Sequence, residues 1–404
     1  MYHSYRWRSL YASGYDSIID LAKTKLNPTG NFVEDNVAQL ASLAIRIGLD
    51  FDVSRQTSRQ AEEELVASYM RVVYKVPEHR DFMYTGTPSE PILAEGSAQL
   101  LNHFLTFERD APKVLNRAFE QGFLARGERG EMVGRLLWTL AHDKVLRDNS
   151  PCDMVQFHRP IQVIHFLKSL FHETHWDTIL NARPVGMKNG PPLSEAFKDA
   201  FIHFSHFMDA GVCKITDLSQ AYRLLLRGAA LNCRRNQPEV DFLAPILFGL
   251  PDSTPIQLSR SSVLQAQIKN RNRTEDFLVS PTIFSSVNAH PVLSLVHELG
   301  AKEQTVDFVE GSIRITRSKA QPSEYSNPHQ RHYQIVAFGC SSEVYGVIPE
   351  TANYAYTTLL GSNSIDDFPH GHVAKAVEMF HELNPAYALQ KARNKCEWFG
   401  EEME

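Results

Sequence analysis

The sequence predicts an α+β protein in which a long helical half precedes a mixed sheet. Three observations predict it. Apolar residues recur at three- and four-residue spacing almost continuously to Gly211. The pattern then changes to short β-branched and aromatic runs bounded by turn residues, such as "VDFLAPILF" (240–248) and "VLQAQIKN" (263–270). The chain has 404 residues with 43% hydrophobic and 22% charged residues, enough for a sizeable core and against long disorder.

Taken in order, "NVAQLASLAIRIGL" (36–49) and "SRQAEEELVASYMRVVYK" (58–75) read as helices, the second with a capping box from Thr57 to Gln60. "SAQLLNHFLTF", "APKVLNRAFEQGFL", "GEMVGRLLWTLAHDKVL", "PIQVIHFLKSLF" and "LSEAFKDAFIHFSHFMDAG" continue the helical pattern, separated by Gly/Pro-rich turns. Residues 216–233 read as one amphipathic helix, with Gly228 inside it at a cost of roughly 1 kcal/mol relative to Ala. Strands follow at 240–248 and 263–270, then at "QTVDFV", "SIRIT", "RHYQIVAFG" and "EVYGVIP", with a short helix "PVLSLVHELG" among them. The last fifty residues read as helical. The expected division is 1–212 helical, 213–350 sheet-bearing and 351–404 a C-terminal helical extension.

Net charge is −6, so a nucleic-acid role needs a local patch. Such a patch exists. From Arg223 to Thr274 there are eight bases, namely Arg223, Arg227, Arg234, Arg235, Arg260, Lys269, Arg271 and Arg273, against three acids. The five cysteines are scattered and form no CxxC pair, which reads as reduced intracellular thiols. The N-terminus has no apolar h-region and no run approaches 18 apolar residues, so neither a secretory signal nor a membrane span is expected. The compartment expected is the nucleus or cytoplasm.

The chemistry concentrates on the strand at 263–270. Alternate strand residues share a face, so Gln265, Gln267 and Lys269 form a polar row where a core strand would carry Val or Leu. If 240–248 pairs antiparallel with it, Asp241 lies beside Gln267 and Lys269. A carboxylate and an amide oxygen suit a hard divalent cation, and a lysine suits a phosphate whose charge grows in the transition state. Asp241 followed by Gln267-x-Lys269, with a helix before and strands after, resembles the PD-(D/E)xK nuclease superfamily in a QxK form. "QIKN" also resembles the nuclease-like domain of Crinkler-type effectors and of uncharacterised mushroom protein families, and residues 117–143 resemble the helical segment of those same fungal proteins.

The resemblance implies a restriction-endonuclease-like mixed sheet flanked by helices, with Mg²⁺- or Mn²⁺-dependent cleavage of DNA. Asp241 would be the metal-binding acid, Gln267 would replace the second acid, Ile268 would offer its carbonyl, and Lys269 would be the catalytic lysine. Asp217, one turn ahead of Gln220, is the candidate for a further helix acid. The nucleic-acid-binding residues would be Arg223, Arg227, Arg234, Arg235, Arg271 and Arg273. The sequence contains no GxxxxGK[ST], so no nucleotide-binding P-loop is expected. The alternative is an inactive nuclease-derived fold that binds nucleic acid or protein, and a homodimer or a protein partner is compatible with either. "FHETHW" lacks the HExxH spacing of a zinc protease. His165, His172, His203 and His206 read as core or half-buried histidines, and "PHGHV" and Cys340 carry no catalytic signature.

Overall fold

The computed structural model describes residues 14–52, 55–68, 70–78, 83–86, 90–124, 129–150, 155–210, 218–233, 240–250, 255–270, 290–309, 331–361, 395–396 and 401–402. The chain divides into two compact units, Met1–Leu360 and Gly361–Glu404. The second unit contains a short antiparallel ladder, Lys395–Cys396 with Glu401–Glu402. That ladder replaces the helix expected at 395–396, and the rest of the expected C-terminal helices lies outside the described residues.

The first unit is α+β, as the sequence predicts. Its helices are α1 (Tyr15–Leu26), α2 (Asn36–Ile47), α3 (Gln56–Ala67), α4 (Pro91–Phe104), α5 (Phe107–Glu120), α6 (Arg129–Asp148), α7 (Val163–Leu170), α8 (Trp176–Leu180), α9 (Leu193–Ala196), α10 (Leu218–Arg227) and α11 (Asn353–Gly361). A small ribbon joins β1 (Val72–Lys75) to β2 (Tyr84–Gly86). The main sheet contains β3 (Ile161–Gln162), β4 (Ala200–Ile202), β5 (His206–Asp209), β6 (Ala229–Asn232), β7 (Phe242–Phe248), β8 (Ser261–Lys269), β9 (Val292–Glu298), β10 (Thr305–Phe308) and β11 (His332–Phe338). Its main path runs β10-β11-β9-β8-β7-β4-β3, with β6 pairing β5 and β7. β7 and β8 are antiparallel, with Phe242 opposite Ala266. β8, β9 and β11 are parallel, with Lys269 opposite Glu298 and Glu298 opposite Phe338.

Several expected elements differ. The helix at 58–75 ends at Ala67, and Val72–Lys75 is strand, as β-branched Val72 and Val73 favour. The expected capping box is absent: α3 begins at Gln56 after Arg55, with no side-chain cap. "AFIHFSHFMD" supplies β4 and β5, so sheet strands come from upstream of residue 212 and share one core with the helices. The helix expected over 216–233 stops at Arg227. Gly228 follows it with φ +59°, a left-handed position that ends the helix, and β6 begins at the next residue. "PVLSLVHELG" is β9, a strand buried at every residue. "EVYGVIP" forms turns rather than a strand, and "SIRIT" lies outside the described residues.

α6 positions the site. It is buried at every residue from Arg129 to Asp143 except Glu131. Its glycines make this possible: a Cβ at Gly134 would stand 2.6 Å from Ile268 Cδ1, and one at Gly130 would stand 3.2 Å from Ile268 Cγ2. The helix therefore lies directly on the end of β8. One face of the sheet, with Phe242, Leu264, Ala266, Ile268 and Leu295, packs into this helical core. The other face, with Leu243, Val263 and Val296, packs with Leu224 of α10. Alternation along each strand divides the two faces.

Candidate functional site

Asp241 immediately precedes β7, and its N–H donates to the Ala266 carbonyl at 2.9 Å, which seats it beside Gln267. Its Oδ2 accepts from Gln267 Nε2 at 2.7 Å and from the Ile268 N–H at 2.6 Å. Both bonds fall on one oxygen, so Oδ1 is the one open to a cation. Within a strand the N–H and C=O of a residue point to the same edge. The Ile268 carbonyl therefore lies on the edge that faces Asp241. Gln267 is 3% exposed, and its Oε1 is a buried acceptor with no hydrogen-bond partner among the described residues. Lys269 is half-buried at the end of β8. Burial raises the Asp241 carboxyl above its ordinary range, while the Ile268 N–H, the charges of Lys269 and Arg135, and the Gln267 amide pull it back.

The antiparallel pairing thus brings together Asp241, Gln267, Ile268 and Lys269 as the sequence predicted. Gln265 shares their face but is occupied otherwise: its amide donates to Ser294 Oγ at 2.7 Å, and Ser294 Oγ lies 2.6 Å from His332 Nε2. Arg223, Arg227 and Arg260 are exposed. Arg234, Arg235, Arg271, Arg273 and Asp217 lie outside the described residues, as does the side chain of Gln220.

Two groups escaped the sequence reading. Glu298, 1% exposed, is the register partner of Lys269 on β9. A helix assignment for 291–300 hid it. Arg135 of α6 is 2% exposed, and its charge acts on Asp241. No local signal in the sequence marks it, since the same helix also carries Arg129, Glu131, His142, Asp143 and Lys144.

A cation is not caged by acids here. Among the described residues no three His, Cys, Asp or Glu side chains form a metal-holding group. A hard ion that keeps most of its waters needs fewer protein oxygens. Asp241, the partnerless Oε1 of Gln267 and the Ile268 carbonyl fit that need, provided the Gln267 amide rotates to turn Oε1 toward Asp241.

The other constellations are structural. In "FHETHW", His172 Nδ1 accepts from the Thr174 N–H at 3.4 Å, and His175 Nε2 lies 3.0 Å from the Glu343 carbonyl. His203 is half-buried and His206 buried; burial lowers them to about 4 and about 3 respectively. A cleft of about 810 Å³ is lined by α1, α4 and the C-terminal end of α6, including Lys23, His103 and Arg147, and not by Asp241, Gln267 or Lys269. Among the described residues no helix is long and apolar enough to cross a membrane.

Residues 31–281 match the model of a family described as a domain of unknown function, DUF8736. The match spans well over half of the chain and runs from α2 past the end of β8. The chain belongs to this family. Neither the curated proteins nor the solved structures contain a match to it.

Proposed function

We propose that the chain is a PD-(D/E)xK-type nuclease of the QxK kind, hydrolysing phosphodiester bonds in DNA with Mg²⁺ or Mn²⁺. One observation carries the reading: Asp241 meets Gln267 and the Ile268 N–H at the end of two antiparallel strands, under the charge of Lys269. The helix before this pair and the parallel strands after it support the resemblance.

Asp241, Gln267 through Oε1 and the Ile268 carbonyl would hold the cation. Bound there, a divalent ion supplies Lewis-acid polarisation of the phosphate and a more acidic water. Lys269, half in solvent, orients and neutralises phosphate oxygens as a compact charge. The exposed Arg223 and Arg227 are four residues apart on α10, hence on one side of it, and would track a polyanionic backbone. Arg234, Arg235, Arg271 and Arg273 extend this basic zone in sequence. A DNA substrate implies the nucleus or cytoplasm.

A second reading is a binding module without catalysis. It is favoured by the present Gln267 amide, whose NH₂ points at Asp241 and closes the pair without a metal. Supercoiled plasmid incubated with and without Mg²⁺ separates the two. The nuclease reading expects metal-dependent nicking, cut about 10²–10³-fold by Lys269→Ala and abolished by Asp241→Asn. Gln267→Glu should tighten Mg²⁺ binding and keep or raise the rate. Metal-independent behaviour, or no cleavage by any variant, leaves the binding module. In that case Arg227→Glu with Arg271→Glu should still release the protein from a DNA column at low salt.

A further inference from the structure

We infer that the cleft between α1, α4 and the end of α6 binds an uncharged aromatic small molecule, at a site separate from Asp241. Its volume, about 810 Å³, is that of a small-molecule site. The sequence opens it. Gly96 brings α4 against α1, where a Cβ would stand 2.8 Å from that of Ala22. Every α1 residue in the lining follows Ala22 and every α4 residue follows Gly96, so the cleft lies beyond this contact. α1 then stops at Leu26, and Pro28 keeps the chain from running on as helix.

The charges around the cleft are closed on one another. Lys23 meets Asp20 at 2.7 Å. Arg147 pairs with Glu108 and donates to Asn102 Oδ1 at 2.7 Å. Glu95, behind the wall, lies 3.0 Å from His158 Nδ1 and accepts from Gln99 Nε2 and the Phe157 N–H, both at 3.1 Å. Lys23, His103 and Arg147 each stand in the last turn of a helix, where a positive group offsets the carbonyl end of the macrodipole. Among the described residues no carboxylate lines the cleft. What it presents is apolar and aromatic. Leu100 and Phe157 of its wall are each 3% exposed. Phe104, at 41%, is the only exposed phenylalanine among the described residues. Phe32 lies 5.9 Å from it between ring centres, and His103 meets it edge-on at 4.7 Å. An aromatic face propped in this way suits a flat ring, which stacks without a countercharge. The site does not rest on the nuclease reading, and dye binding and plasmid cleavage fail independently.

Nile red, an uncharged aromatic dye that brightens in apolar surroundings, is the probe. It is titrated into the full chain and read by fluorescence, beside the anionic dye anilinonaphthalene sulfonate. Wild type should bind Nile red saturably and more tightly than the sulfonate. Phe104→Ser, a change at an exposed side chain, should weaken binding about tenfold, the size of one lost aromatic contact. Thr24→Trp, which fills the cleft from its α1 side, should weaken it at least as much. Tyr354→Ser, at an 83% exposed residue of α11, should leave it unchanged. No saturable binding by wild type, undiminished binding by Phe104→Ser, or an equal loss in Tyr354→Ser overturns the site. Should Thr24→Trp fail to fold, Phe104→Ser decides alone. Tighter binding of the sulfonate, lost in Phe104→Ser, overturns the uncharged class.

Discussion

Arg46 with Asp143, and Asp241 with Gln267 and Ile268, are two settings of a carboxylate in the same unit, the first fully buried and the second half-buried. In the first, both side chains are fully buried and every strong group is met. Arg46 binds Asp143 through Nη1 at 2.9 Å and Nη2 at 2.7 Å, and Asn102 adds a bond to Asp143 at 2.8 Å. Burial opposes the Asp143 charge, yet the charge and hydrogen bonds of Arg46 outweigh it and hold the carboxyl down to about 2. In the second, burial wins and the Asp241 carboxyl is raised. The first pair ties α2 to α6 and serves the fold. In the second, Arg135 Nε and Nη1 and Gln267 Oε1 have no hydrogen-bond partner among the described residues.

Acid should have the largest effect, acting through buried histidines outside both settings. His206 and His297 are lowered to about 3, and His203 and His332 to about 4, chiefly by burial. Their unfolded counterparts take up protons near pH 6.5. Stability held by their neutral forms is present above that pH and is lost as pH falls toward their folded values. The Asp143 contribution is present above about pH 4 and goes as pH falls toward 2. We expect cooperative unfolding before pH 4, followed by circular dichroism. A folded protein at pH 3 would mean that these groups are far less sequestered.

Next in size is Arg46→Ala, expected to cost about 3–5 kcal/mol because it strands the Asp143 charge. Urea unfolding measures it, and a loss below 1 kcal/mol would remove the contrast. Gly134→Ala should cost about 1–3 kcal/mol, since the new Cβ meets Ile268 Cδ1 at 2.6 Å. On the nuclease reading it should also reduce cleavage by shifting β8, whereas Gly361→Ala, with nothing nearby, should do neither.

The sequence made one of these sites legible and hid its surroundings. Asp241, Gln267 and Lys269 could be found because antiparallel pairing of neighbouring runs is a local inference, and polar residues on an apolar strand stand out. β9 was misread because Pro291 and Gly300 mimic helix punctuation, and a strand buried on both faces loses its alternation. Glu298 disappeared with it. β4 and β5 were hidden in an aromatic run whose spacing suits helix as well as strand. The end of α10 was readable in principle, since Gly228 is the residue a left-handed stop prefers. Arg135 was not, because no local pattern says that a helix will be buried on nearly all sides.

The central claim is that Asp241, unlike Asp143, is not kept for stability. Urea unfolding of Asp143→Asn and Asp241→Asn at pH 7 tests it most directly. An asparagine at 241 can still accept from Gln267 and Ile268, and it removes a charge that burial disfavours. Asp241→Asn should therefore match or exceed the wild-type midpoint, while Asp143→Asn falls well below it. Equal destabilisation of the two variants would contradict the account and make the Asp241 site a closed part of the fold.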